Sequence, residues 1–268
     1  MKLDLLHTDI RGQLVFLGTG TSVGIPMIGC ACPTCTSTNP LNNRTRCGLA
    51  LGLPEGNVLI DTTPELRVQL LREKIGLAHA ILFTHDHADH LNGLDDVRVL
   101  YFYLQHALPV YCEMNVQERI RQAFAYAFTP DAVNYAGGVP LLDFHTIRPN
   151  QPFDLLGTRV TPFRLEHGRF RVLGFRIGNI AYCTDTNHIP PESMELLQGL
   201  DVLIIDALRP RSHVSHFSLD EAIEVSRQLK PKRTLFTHLC HELEHAETQA
   251  KLPDGMELAY DGLRIPLT

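Results

Sequence analysis

Short apolar runs that stop abruptly at a histidine or an aspartate recur along this chain. Ala80-Ile81-Leu82-Phe83 predicts a buried strand, and the loop Thr84-His85-Asp86-His87-Ala88-Asp89-His90 opens where it stops. Gly157 to Arg164 predicts another strand, running out at Leu165-Glu166-His167. Phe175 to Ile177 and Ile180 to Cys183 pair as a hairpin around Gly178-Asn179 and lead into Thr184-Asp185-Thr186. Val202-Leu203-Ile204-Ile205-Asp206 has the continuous apolar character of a strand covered on both faces. Thr234-Leu235-Phe236-Thr237 repeats the pattern and ends on His238.

Other segments fill in an alternation of strands and helices. Leu14 to Leu17 is a strand signal entering Gly18-Thr19-Gly20-Thr21-Ser22, a tight turn expected beside the polar cluster, since it lacks the glycine and lysine spacing of phosphate loops. Leu49 to Leu53 and Val58 to Asp61 form a hairpin across Pro54-Glu55-Gly56-Asn57. Asp61 at its end admits two readings: a carboxylate orienting a metal-bound imidazole, or a cap for the helix predicted from Pro64 to Glu73. Leu94 to Gln105 and Val116 to Phe128 read as helices, the latter bounded by Pro130, with Phe124, Tyr126 and Phe128 expected in the core. Pro109 to Cys112 is a strand between them. Ser218 to Leu229 is a helix opened by the capping box of Ser218 and Glu221. The tail from Met256 to Ile265 alternates like an edge hairpin.

Composition narrows the class. With 268 residues, 44% hydrophobic and 20% charged, the chain reads as an ordinary globular protein, one large α/β domain or two small ones. A net charge of −6 argues against an extensive nucleic-acid surface or an anionic-membrane surface. Met1 to His7 carries no long apolar run, so neither signal peptide nor membrane span is expected there, and the reading is cytoplasmic. Seven cysteines are unevenly spread. In a cytosolic chain, the packing of Cys30, Cys32 and Cys35 into a loop at about 29–47 favours a metal over disulfides. Three thiols there suit one tetrahedral ion, with Cys47, Cys240 or His241 as the fourth donor. Cys47, Cys112 and Cys183, isolated in apolar or mixed surroundings, read first as buried structural thiols.

The loop after Phe83 concentrates three imidazoles and two carboxylates, enough to hold two metal ions. Together with His167, Asp185 and His238 at later strand ends, His85-x-His87-x-Asp89-His90 resembles the signature of the metallo-β-lactamase superfamily. The resemblance spans nearly the whole chain. It implies a single α/β domain over 1–268, an αβ/βα sandwich of two mixed β-sheets flanked by helices, with metals at one edge. It also implies a first ion on His85, His87, His167 and Asp185, and a second on Asp89, His90 and His238 that shares Asp185. Two divalent ions sharing a water make it acidic and clamp the charge of a displacement, which is hydrolase chemistry. An aspartate at position 185, where some members of the superfamily carry cysteine, suits phosphoester substrates.

Within the superfamily, Gly18-Thr19-Gly20, Cys30-x-Cys32-x-x-Cys35 and Thr237-His238-x-x-His241 are similar to the phosphodiesterase branch typified by PhnP, a cyclic phosphate diesterase. That branch implies a structural zinc on Cys30, Cys32, Cys35 and His241, a homodimer, and His216 as general acid, with His213 a weaker rival. Asp89 is counted among the catalytic groups as well as the ligands. Thr62-Thr63-Pro64-Glu65 departs from PhnP itself, so its substrate is not carried over. The expected function is cleavage of a small or cyclic phosphodiester by a metal-bridging hydroxide. The catalytic ions would be zinc or manganese, with iron a further alternative. Rival readings are a lactonase or thioesterase, a tRNA 3′-processing nuclease, and a non-catalytic protein like the PqqB relatives.

Overall fold

A computed structural model describes residues 4–129 and 137–267. Met1 to Leu3, part of the N-terminal reading, and Pro130, expected to bound a helix, lie outside the described residues.

Two seven-stranded mixed sheets pack face to face. In chain order, β1 (Gln13–Gly18), β2 (Gly48–Leu53), β3 (Gly56–Ile60), β4 (Ala80–Leu82), β5 (Leu108–Cys112) and β6 (Leu142–Thr146) lie side by side in the first. The second adds β7 (Phe153–Leu155), β8 (Thr158–His167), β9 (Phe170–Ile177), β10 (Ile180–Cys183), β11 (Val202–Asp206) and β12 (Arg233–Thr237). The last two strands divide: β13 (Met256–Leu258) pairs parallel with β12, and β14 (Arg264–Pro266) returns to pair antiparallel with β1. The predicted tail hairpin is therefore wrong. Each half of the tail satisfies the free edge of a different sheet, and alternation in sequence cannot tell which edge is open.

Period-two alternation assigns the faces. Leu14, Phe16, Leu49, Leu51, Val58 and Ile60 of the first sheet meet Leu173, Phe175, Ile180, Tyr182, Ile204 and Leu235 of the second in the central core. The opposite faces are covered by helices. Val15, Leu17, Leu59 and Ile81 pack with Leu66 of α1 (Leu66–Glu73) and with Val116 and Ile120, while Phe163, Leu203, Ile205 and Phe236 pack with Ala222 and Leu229. The latter group forms the third core. Ala222 and Leu229 belong to the helix Leu219–Leu229, whose N-terminus has the expected capping box of Ser218 and Glu221.

Local departures from the sequence reading have identifiable causes. The loop after β4 contains one helical turn, α2 (Ala88–Leu91). Leu94 to Gln105 begins as a 3-10 segment, Leu94–Leu100, and becomes α-helical only over α3 (Tyr101–Leu104). The helix expected to reach Phe128 stops earlier, as α4 (Met114–Ala123), and tightens into a 3-10 turn over Ala125–Phe128. Tyr126 is consequently 47% exposed, its hydroxyl bonded to Asp95, and is not a core residue. The glycines before Ser22 run extended between two neighbours, with the tight turn shifted to Thr21–Gly24. A Cβ at Gly18 would stand 2.0 Å from the Arg46 carbonyl, so the close approach requires glycine there.

Candidate metal centre

All the polar strand ends face one edge of the sandwich. Asp61 follows β3, His85 and His87 follow β4, Asp185 follows β10, Asp206 closes β11 and His238 follows β12. Strands β3 and β4 run parallel, as do β10, β11 and β12, so these residues collect at carboxyl ends, where α/β sheets present their binding loops. Asp61, Asp185 and His238 have positive φ of 65°, 53° and 58°. This left-handed conformation turns each side chain across the sheet edge. It costs a non-glycine residue on the order of 1–3 kcal/mol, a cost found where surrounding structure holds a functional geometry.

The donors fall into two connected groups. Ligand nitrogens of His85, His87 and His167 lie within 4.8 Å of one another. On the other side, His90 Nε2 stands 3.1 Å from Asp185 Oδ2 and His238 Nε2 3.3 Å from Asp185 Oδ1. Asp89 Oδ2 lies 3.4 Å from His90 Nε2 and 3.8 Å from His238 Nε2. Asp185 also clusters with His167 and so stands between the groups. All seven residues singled out in sequence are thus brought together.

The vacant valences of these side chains point inward. The Nε2 atoms of His85, His90 and His238 are buried without a hydrogen-bond partner. Leaving such atoms unpaired costs about 1–3 kcal/mol each, and spacings of 3.1–3.8 Å match the edges of a polyhedron around a cation with bonds of ~2.0–2.2 Å. The residues fit a pair of divalent metal ions. Without ions, burial works against charge on His90, but Asp185, Asp89 and Asp61 outweigh it and raise its pKa well above the imidazole range. His238 is likewise opposed by burial and lifted by Asp185 and Asp89 to about 9. These carboxylates are arranged for positive charge.

A second layer of bonds fixes which nitrogen faces inward. His90 Nδ1 donates to Asp61 Oδ2 at 2.7 Å, and His167 Nδ1 donates to the Ser215 carbonyl at 2.7 Å. Thr84 Oγ1 donates to Asp61 Oδ2 at 2.8 Å and lies 2.9 Å from His85 Nδ1, so one carboxylate orients two imidazoles. Of the two readings of Asp61, the orienting one matches the geometry; the first helix is flanked by Glu65 and takes no cap from Asp61. Asp206 was not singled out in sequence. Its Oδ2 accepts from His216 Nδ1 at 2.6 Å and from the Thr186 backbone at 2.9 Å. Its position at a strand end, like that of Asp185, was the available signal.

His216 is 8% exposed, stacks on His238 at 4.6 Å between ring centroids, and meets His167 edge-on at the same distance. His213 lies one layer out, 5.2 Å from the His216 ring.

The cysteine loop forms a separate cluster. His241 Nδ1 lies 3.2, 3.7 and 3.7 Å from the sulfurs of Cys30, Cys32 and Cys35, the edges of a tetrahedral site. His241 is the fourth member among the three candidates. Cys240 instead accepts from the Glu242 backbone. Arg44, 1% exposed, donates to the carbonyls of Cys240 and Leu243 and holds the His241 segment beside the loop, a tie that no sequence spacing announced. Cys112 and Cys183 are buried in apolar clusters, as read from sequence. Cys47 is buried too, but beside His90, Asp185 and His238, which corrects its reading as an isolated thiol. If the four-residue cage holds zinc, Cys30→Ser lowers the thermal midpoint by more than ~5 °C while catalytic-metal content of the folded protein stays unchanged. Calorimetry with metal analysis tests this; loss of catalytic metal would contradict it.

The sandwich and the paired donor groups define the fold class of the metallo-β-lactamases, with a candidate metal centre at one edge. Residues 56–239 match the family model of the beta-lactamase superfamily domain, and the chain belongs to that superfamily. It belongs within it to the PhnP-like branch: a structure described as a new diphosphatase from the PhnP family is 39% identical, with 96% of this chain and 98% of that one covered and a TM-score of 0.89. Zinc-bound PqqB from Methylobacterium extorquens shares the fold at 18% identity, covering 95% of this chain and 100% of that one, with a TM-score of 0.76. An octanoyltransferase from Porphyromonas gingivalis is 37% identical over 254 residues, 94% of this chain but 51% of the relative. The chain spans about half the length of that curated relative. Among the described residues, no helix is long and apolar enough to cross a membrane.

Proposed function

We propose that this protein is a dinuclear metal-dependent phosphodiesterase acting on small anionic diesters. The observation that carries the reading is the wall of the cleft beside His85 and His87. A cavity of about 390 Å³ there is lined by Arg164, Arg169, Phe170 and Arg171. Arg164 is neutralised by a bidentate pair with Glu113 at 2.7 and 2.8 Å. Arg169 lies 5.0 Å over the Phe170 ring, and neither it nor Arg171 has a carboxylate within ion-pair reach among the described residues. Asp86 lines the cavity as well, so its charged side chains carry one net positive charge, which on a chain of net charge −6 favours an anionic substrate over a neutral lactone or thioester.

When bound, two divalent cations make water acidic and offset the negative charge of the transition state. The chain does the rest. His85, His87, His167, Asp185, Asp89, His90 and His238 hold the cations, while Asp61 and the Ser215 carbonyl orient the imidazoles. Asp206 accepts from His216 Nδ1, which leaves Nε2 as the atom that delivers a proton to the departing oxygen. The apolar layers behind the strand ends limit water to the open side of the cleft.

The name of the Porphyromonas gingivalis relative keeps an acyl substrate as the second reading. A panel of a bis-aryl phosphate, cyclic nucleotide phosphates, a lactone and an acyl thioester separates them: turnover of phosphodiesters is expected, and faster hydrolysis of either acyl ester would overturn the proposal. In the Arg169→Ala/Arg171→Ala double variant, KM for a phosphodiester rises about tenfold and becomes less sensitive to salt, with kcat little changed. An unchanged KM would remove the cleft wall from the argument.

A further inference from the structure

Cys47 belongs neither to the cysteine cage nor to the seven donors, yet it stands against the second group. Its Sγ and the ligand atoms of His90, Asp185 and His238 all lie within 4.8 Å of one another, and all four residues are buried. The contrast with Cys112 and Cys183 is chemical: those thiols sit in apolar clusters, whereas Cys47 contacts Thr184 Oγ1 at 3.3 Å. Thr184 in turn donates to Asp185 Oδ2 at 2.7 Å. Position is set from both sides, because the Cys47 backbone donates to Gly20 at 3.1 Å as the chain enters β2. The second, independent observation is the pair of buried nitrogens, His90 Nε2 and His238 Nε2, that have no hydrogen-bond partner in this same space.

Metal bonds of ~2.3 Å to sulfur and ~2.1 Å to nitrogen place two donors of one ion ~3.6 Å apart at a tetrahedral angle and ~4.4 Å apart when opposed. A sulfur within 4.8 Å of the other three donors is therefore at the reach of a long or axial bond to their common ion. We infer that Cys47 is an additional, thiolate donor to the second catalytic cation, on the reading that the paired donors hold two metals. On binding, the S–H bond breaks, a sulfur–metal bond forms, and the proton leaves to solvent. The two halves of the centre then differ in softness. The ion near His85, His87 and His167 has only nitrogen and oxygen donors, and the other gains a sulfur that favours zinc or iron over manganese.

Cadmium NMR of the full chain tests this, because the shift of the bound ion reports how many sulfurs it has. Three signals are expected: one from the cysteine cage, one from a nitrogen and oxygen site, and one displaced from that by a single sulfur. In Cys47→Ser the third signal moves into the nitrogen and oxygen range while the other two stay. In metal competition, Cys47→Ala lowers the zinc-over-manganese preference of one catalytic ion about tenfold. Two catalytic signals both free of sulfur in the unsubstituted protein would overturn the inference, whether or not the variants fold. So would a Cys47→Ser spectrum unchanged from the parent. Cadmium confined to the cysteine cage would overturn the two-metal reading itself, a result distinct from either.

Discussion

Asp185→Asn is expected to leave the cysteine cage loaded, reduce catalytic metal to one ion or none per chain, and lower phosphodiester turnover by more than ~100-fold. The reason is position. Asp185 places Oδ2 at 3.1 Å from His90 Nε2 and Oδ1 at 3.3 Å from His238 Nε2, and it clusters also with His167 on the other side. Altering an orienting residue behind a metal ligand typically costs 10–100-fold, so weakening the ligand between two ions costs more. Asparagine keeps the volume but loses the charge that the surrounding imidazoles require; in the metal-free centre, burial opposes that charge while His238 and His90 hold the carboxyl well below its usual range. Metal analysis alongside steady-state kinetics checks the prediction. A variant that retained two catalytic ions and parental kcat would show that Asp185 does not join them.

The second large effect is at His216. His216→Ala is expected to slow esters with poor alkoxide leaving groups by about 10²- to 10⁴-fold and to affect activated aryl esters far less, since only the former need a proton as they depart. Asp206 explains why a histidine here is prepared for the task. Its carboxylate, fully buried, accepts from His216 Nδ1 at 2.6 Å and so fixes the ring. Asp206→Asn should therefore reproduce part of the His216→Ala defect on alkyl esters. Equal losses on alkyl and aryl esters, measured with both variants, would place His216 in structure and not in proton delivery.

The difference between Asp61 and Asp206 shows what a reader of the sequence has to work with. Asp61 lies near a predicted helix start, so a cap competed with an orienting role, and only the 2.7 Å bond to His90 Nδ1 decided between them. Asp206 closed an apolar run and raised no suspicion, because its partner His216 lies ten residues on, beyond a loop whose path no periodicity describes. Arg44 is a stronger case. It drew no reading from the sequence, yet its guanidinium is buried between two segments, donating to the carbonyls of Cys240 and Leu243 and to Asn42 Oδ1. Tyr126 failed in the opposite direction, an aromatic at helical spacing that the tightening of the helix turned toward solvent.

Two kinds of information are separable here. The amino-acid sequence by itself determined the order and chemistry of the donors and most of the strands that carry them, because apolar alternation and its interruption are local properties of the chain. The ordered signature of His85, His87, Asp89, His90, His167, Asp185 and His238 added, by its resemblance to the metallo-β-lactamase superfamily, the expectation of two sheets that the fold bears out. Tertiary structure alone decided that Cys47 stands with His90 and His238, that Asp61 and Asp206 orient imidazoles, and that the tail splits between β12 and β1. Those outcomes depend on which sheet edges remain open and which strand ends meet, and such contacts join residues as far apart as Gln13 and Pro266 that no local pattern relates.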